Sequence, residues 1–323
     1  MMKAENDPKI IKEIRDFLKD LNSGDSKPME EMQADEARKV LESAQQSVQV
    51  DVSGITEKTF AIMKDGHHVN CILIKPETKE SELLPVFIFI HGGGWILGDY
   101  PTHKRLVRDL VVHSGAAAVF VDYSRSPEAT YPTAIEEIYA VTEWVAANGE
   151  EIGVDGKNLA IAGNSVGGNM TAVTCLMAKD KKGPEIKFQL LLWPVTDANF
   201  NRDSWKEYAD GRFLTANMMK WMWDNYLPDV EKRREYYATP FNAPLDKLKG
   251  LPPALVHLAE NDILFDEGLA YARKLDEAGV ATCIQTFNGF IHDYGLLNPL
   301  NHIAAVQFAT QQAALGLKNA LFK

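Results

Sequence analysis

The sequence predicts an α/β fold: a mostly parallel central sheet with helices on both faces and a helical cap over one edge. Three observations carry that expectation. From residue 56 onward, short runs rich in β-branched residues alternate with amphipathic segments. The short runs are apolar throughout, as strands covered on both faces must be. Residues 163–167 also spell G-x-S-x-G between a short apolar run and an apolar-faced helical stretch.

In chain order, residues 1–50 are polar and helix-prone, with DPKIIKEIRDFLKDL and MEEMQADEARKVLESA preceding the first strand pattern. They read as the first part of the cap. TFAIM and NCILIKP begin the sheet, followed by VFIFI, AAAVFVDY, LAIAG, FQLLLWP, ALVHLAE and ATCIQTF. Helical stretches separate them. In HKRLVRDLVVHSG, Leu106, Val107, Leu110 and Val111 share a face, and in TAIEEIYAVTEWVAANG so do Ile135, Ile138, Val141 or Thr142, and Val145. DEGLAYARKLDEAG and HIAAVQFATQQAALGLKNALF complete the series. Residues 198–237 break the rhythm, and neither they nor residues 1–50 carry enough apolar surface for a core of their own. The expected organisation is a core of 51–197 and 238–323, capped by 1–50 and the 198–237 insertion.

Composition narrows the partners. Acidic residues outnumber basic ones by 45 to 34 in 323 residues, a formal charge of −11. That balance argues against nucleic acid or an anionic membrane as partner. The cysteines Cys71, Cys175 and Cys283 fit neither a disulfide framework nor a zinc site, and their apolar surroundings predict buried free thiols in a reducing compartment. The charged start MMKAENDPK has no signal-peptide core, and the apolar run LLPVFIFI is too short to cross a bilayer. A cytoplasmic protein is the expectation.

Ser165 is the central candidate. A strand turning sharply into a helix strains the turning residue and needs small neighbours, which Gly163 and Gly167 supply. The following helix aims its N–H groups at the same spot and favours negative charge there. The alternative is a tight turn that happens to contain serine. A second signal is HGGGW at 91–95, directly after VFIFI. Successive glycines let backbone approach a ligand closely, so their N–H groups can hold an oxyanion, each donor worth about 2.7–4 kcal/mol. A phosphate loop would carry Lys-Ser/Thr after the glycines, where Trp95-Ile96 stand.

With these motifs the chain resembles the hormone-sensitive lipase family of α/β-hydrolase esterases. The resemblance runs through HGGGWILGD at 91–99, VDYSRSPEATYPTAIEE at 121–137, GVDGKNLAIAGNSVGGN at 153–169, AENDILFDEG at 259–268 and NGFIHDYG at 288–295. It departs from the family at Asn164 and Val166, where G-D-S-A-G is usual, at Ile263 in place of proline, and at the segment Tyr123–Glu128. Asparagine can keep a turn hydrogen bond without the charge.

The resemblance implies an α/β-hydrolase fold and a serine carboxylesterase acting on small esters of short-to-medium acyl length, with no metal or cofactor. It implies an oxyanion hole from Gly93, Gly94 and Val166, with Gly92 shaping the turn; which glycines donate stays open. Family members often pair sheet edges into homodimers. In the order Ser…Asp…His, Asp262 and His292 follow the strands ALVHLAE and ATCIQTF, on the same edge as Ser165. His292 would act as base and Asp262 would orient it.

Asp266 and Glu267 suit the start of the next helix, and Asp293 stands beside His292, a spacing from which a side chain rarely reaches the ring. His67 and His68 are expected in a polar turn, with His103, His113 and His302 solvated on helices. His257 is expected in the core, and His91 as a brace of its loop. Tyr123 and Glu128 lie beneath the site by family likeness, or are simply strand end and turn. Trp95, Met218 and Met222 are candidate pocket residues; the run MMKWMW at 218–223 could equally be cap core. Bulk there would favour short acyl groups. The same groups could serve an amidase or formamidase, or a hydrolase-like protein that only binds its ligand.

Overall fold

The computed structural model describes residues 3–24 and 27–322. Its centre is one eight-stranded sheet in the order β1-β2-β4-β3-β5-β6-β7-β8. The strands are β1 (Ile55–Lys64), β2 (His67–Pro76), β3 (Leu84–Ile90), β4 (Ala117–Asp122), β5 (Val154–Asn164), β6 (Phe188–Leu192), β7 (Ala254–Asn261) and β8 (Thr282–Ile291). β1 and β2 form an antiparallel hairpin, β2 runs antiparallel to β4, and the remaining pairs are parallel.

The hairpin turns on Asp65 and Gly66 alone, both at positive φ, so His67 and His68 open β2 instead of lying in a turn. Alternation along the central strands divides the core. Val86, Ile88 and Ile90 pack toward one face, and Phe87 and Phe89 toward the other. The first face carries α4 (Thr133–Asn148), α5 (Val166–Asp180) and α9 (Phe265–Glu277), and the second α3 (Tyr100–Ser114) and α10 (Ala304–Leu321).

Helices α1 (Lys12–Leu21) and α2 (Ala34–Gln46) precede the sheet, while α6 (Asp203–Glu207), α7 (Ala216–Tyr226) and α8 (Leu245–Leu248) lie between β6 and β7. Among the described residues no helix is long and apolar enough to cross a membrane.

Two expectations about burial fail. Cys71 and Cys175 are buried, but Cys283 is exposed, because β8 is the outer strand and one side of it has no neighbour. His103 is fully buried, since it continues the inward face of α3 set by Leu106, Val107, Leu110 and Val111. His302 precedes α10 in a turn.

Candidate active site

Ser165 stands between the end of β5 and the start of α5 with φ 56° and ψ −119°. A Cβ on Gly163 would collide with the Gly167 carbonyl, and one on Gly167 with that of Ile90. Only glycines let the turn close. The Ser165 side chain makes no capping bond to α5. Its Oγ instead lies 3.0 Å from His292 Nε2, and His292 Nδ1 lies 2.6 Å from Asp262 Oδ2. The second Asp262 oxygen accepts the Leu264 N–H at 2.9 Å, which fixes the carboxylate's orientation. All three residues are buried, and Ser165 and His292 line a cavity of about 1010 Å³.

The 91–98 loop crosses in front of the serine. The Gly92 N–H donates to Asn164 Oδ1 at 2.9 Å, and a Cβ there would strike Asn164. Gly93 and Gly94, at φ 104° and 63°, line the cavity with their N–H groups unclaimed by Asn164. Val166 is the first residue of α5. His91 braces the loop: its ring lies between Phe120 and Tyr123, its Nδ1 is 2.8 Å from Gly92 O, and its own carbonyl accepts from Tyr123 Oη at 3.0 Å. Burial holds the His91 imidazole well below its ordinary range, so it stays neutral. His103 is held down to about 4 for the same reason.

Tyr123 is buried beneath the loop, but Glu128 is exposed and pairs with Arg38 of α2 through two hydrogen bonds at 2.9 and 2.7 Å.

Asp293, the rival acid, makes no hydrogen bond to the ring, which Asp262 bonds at 2.6 Å, but it has partners that the sequence did not signal. It adopts φ 57°, and one oxygen lies 3.8 Å from His292 Nε2. The other accepts from Asn164 Nδ2 at 3.0 Å and from Trp193 Nε1 at 2.6 Å. Asn164 therefore links the glycine loop to this aspartate; a second carboxylate in its place would face Asp293. Burial depresses the His292 pKa, but Asp262, Asp293 and Glu267 together outweigh it and raise it above 6.5.

Glu267 starts α9 as expected, yet it is fully buried and accepts from the Thr196 and Asp197 N–H groups and from Trp205 Nε1. Burial pushes its carboxyl up to about 8. Through Trp205 it ties α6 to α9, and through Thr196 and Asp197 it holds the segment that follows β6, a role invisible in sequence. Asp266 accepts from the Ser204 N–H. His257 is buried in β7, with Nδ1 3.4 Å from Tyr294 Oη.

Helix α7 uses both faces of its MMKWMW run. Met218 and Met222 line the cavity, while Met219 and Trp223 are buried against the protein. Trp95 does not line the cavity; it is fully buried against Tyr226 and Trp223. Among the described residues no group of three or more His, Cys, Asp or Glu is placed to hold a metal.

A serine lifted from a sheet edge, facing a buried histidine and aspartate beside a glycine loop, defines the chain as an α/β hydrolase. The family described by the α/β hydrolase fold matches residues 87–296, and the chain belongs to it, in the branch of the hormone-sensitive lipase type and among the carboxylic ester hydrolases. It is 35% identical over 291 residues to a putative α/β hydrolase of Acanthamoeba polyphaga mimivirus, covering 90% of this chain and 82% of that one. It is 37% identical over 239 residues to the carboxylesterase NlhH of Mycobacterium tuberculosis, 74% of each chain. A thermostable esterase from Pseudomonas putida superposes with a TM-score of 0.96 at 55% identity, covering 98% of this chain and 99% of that one.

Proposed function

We propose that this hydrolase is a serine carboxylesterase acting on small esters of short-to-medium acyl length through an acyl-enzyme. The hydrogen-bonded chain Ser165–His292–Asp262 at 3.0 and 2.6 Å, opening on the cavity, carries the reading. With the ring proton on Nδ1 and directed at Asp262, Nε2 is free to accept the Ser165 proton. The alkoxide attacks the ester carbonyl, and the resulting oxyanion is received by N–H groups of Gly93, Gly94 and Val166. Gly92 does not donate to it, because its N–H is already bonded to Asn164.

His292 returns the proton to the leaving alcohol, and the cycle repeats with water attacking the acyl-serine. Asp262 stabilises the imidazolium at each stage. Because the His292 pKa is raised above 6.5, the base is neutral, and the enzyme active, only toward the alkaline side of that value.

Residues 1–50 and 198–237 act as a cap in this reading, since both contribute walls to the cavity. Met222 lies against Gly94 and narrows the end nearest the serine, which limits the acyl group. The chain works in the cytoplasm, a reading supported by its free thiols, and β8 offers the open sheet edge where a second copy would pair, read by light scattering.

The deciding experiment compares p-nitrophenyl acetate and butyrate hydrolysis by wild type and Ser165→Ala. The expected loss in kcat is at least about 10⁴-fold, since removing the nucleophile of such a unit costs about as much as removing all of it. An inert wild type, or an alanine variant as fast as wild type, overturns the reading.

A further inference from the structure

The glycine loop is held from two sides, and only one side is the hydrolase core. On the core side stand the Asn164 and His91 contacts described above. On the other side, Trp95 sits in the left-handed region at φ 61°, directly after Gly94, also left-handed. A bulky residue persists in that conformation only where its surroundings over-determine it.

Those surroundings come from the cap. The Trp95 ring is stacked on Tyr226 at 4.1 Å and 3°, and Trp223 closes on it at 4.7 Å and 58°. Both partners belong to α7. On the same helix, one turn before Tyr226, Met222 covers Gly94 so closely that a Cβ on that glycine would overlap its sulfur. From the N-terminal segment, Arg38 Nε donates to Ile96 O at 2.9 Å, and the same guanidinium donates to Ser126 O at 3.1 Å. Ser126 in turn gives its N–H to Trp95 O at 2.8 Å. Residues 94–96 are thus gripped by both cap segments.

We propose that α7, through Tyr226 and Trp223, and α2, through Arg38, are positioning parts of the oxyanion loop, so that the cap sets the geometry of the oxyanion hole as well as the shape of the cavity. This rests on the reading that the loop backbone receives the oxyanion. None of the three side chains touches the substrate carbonyl in this scheme; they act through Trp95 and Ile96. On the α7 side packing does the holding, because Tyr226 Oη and the Trp95 and Trp223 indole N–H groups are buried without a partner among the described residues. A ring of the same shape without the hydroxyl serves equally well.

The test uses the full chain and compares Tyr226→Leu with Tyr226→Phe. Tyr226→Leu is expected to lower kcat for p-nitrophenyl butyrate about 10- to 100-fold, the range for donors displaced by up to an ångström. KM should stay within about threefold, because an interaction realised only in the transition state is lost. The inhibition constant of phenylboronic acid, whose serine adduct places an oxygen in the same hole, should rise by a comparable factor. Tyr226→Phe should match wild type within about twofold.

Amide exchange of residues 91–97, followed by mass spectrometry, should quicken in Tyr226→Leu while thermal melting still shows a folded protein. Should that variant not fold, Arg38→Met supports the same comparison from the other cap segment. A folded Tyr226→Leu with unchanged kcat, a rise in KM alone, or unchanged loop exchange overturns the proposal. If wild type fails to turn over esters, the esterase reading falls, and loop exchange still decides whether the cap holds the loop.

Discussion

The sheet-edge side of the site and its cap side are held by different forces. At the sheet edge, Ser165, Asp262 and His292 are joined by short directed hydrogen bonds, and the turn at Ser165 closes only with glycine at 163 and 167. On the other side, Met218 and Met222 face the cavity, and Trp95, Trp223 and Tyr226 pack ring on ring with no hydrogen bond from their side-chain polar atoms among the described residues. Directed bonds and glycine-only turns demand particular residues at particular spacings. Packing demands only volume and shape, which many sequences supply. The first half therefore fixes residue identity, and the second fixes only how space is filled.

Asp262→Asn attacks the directed half at its strongest point. The amide would favour the wrong imidazole tautomer, and kcat should fall about 10⁴-fold with little change in KM. Retention of more than about a tenth of wild-type kcat would mean that Asp262 is not the orienting acid. Gly94→Ala probes the seam between the halves. Its φ of 63° disfavours any Cβ, by about 1–2 kcal/mol, and the new atom meets Met222. We expect kcat to drop about 100-fold from displacement of the loop. Adding Met222→Ala should restore about tenfold by removing the obstruction. No restoration would assign the whole loss to backbone strain and show that cap and loop do not compete for that space.

The same division explains what could be read in advance. All eight strands fall where the sequence pattern predicts them, and those in the middle of the sheet, from β3 to β7, show the continuous apolar signature that burial on both faces leaves. Ser165, Asp262 and His292 stand at strand ends in a legible order. The neighbour spacing keeps Asp293 out of hydrogen-bond reach of the ring, as expected, but its left-handed backbone at φ 57° and its bonds to Asn164 and Trp193 are not encoded in any local pattern. Arg38 meets Ile96 and Glu128 across long stretches of chain, so nothing in its neighbourhood signals the contact. His103 was legible after all: its spacing to Leu106 and Leu110 places it on the buried face of α3. Cys283 shows the opposite error, an apolar run taken as fully covered when its strand is the outermost.

Asp293→Asn gives the smallest effect and the sharpest reading of the directed half. The aspartate lies 3.8 Å from His292 Nε2 and is one of the charges that raise the imidazole pKa. Removing that charge lowers the pKa, so the acid limb of kcat/KM should move to lower pH. Asparagine keeps an oxygen for the Asn164 and Trp193 donors, so the loop connection through Asn164 survives. On the alkaline plateau, where His292 is neutral with either residue, the rates should converge within about tenfold, the loss being confined to stabilisation of the transient imidazolium. An unmoved acid limb would show that Asp293 does not contribute to the histidine's titration. A limb displaced to higher pH would contradict the electrostatic account, because no loss of negative charge beside an imidazolium can stabilise its protonated form.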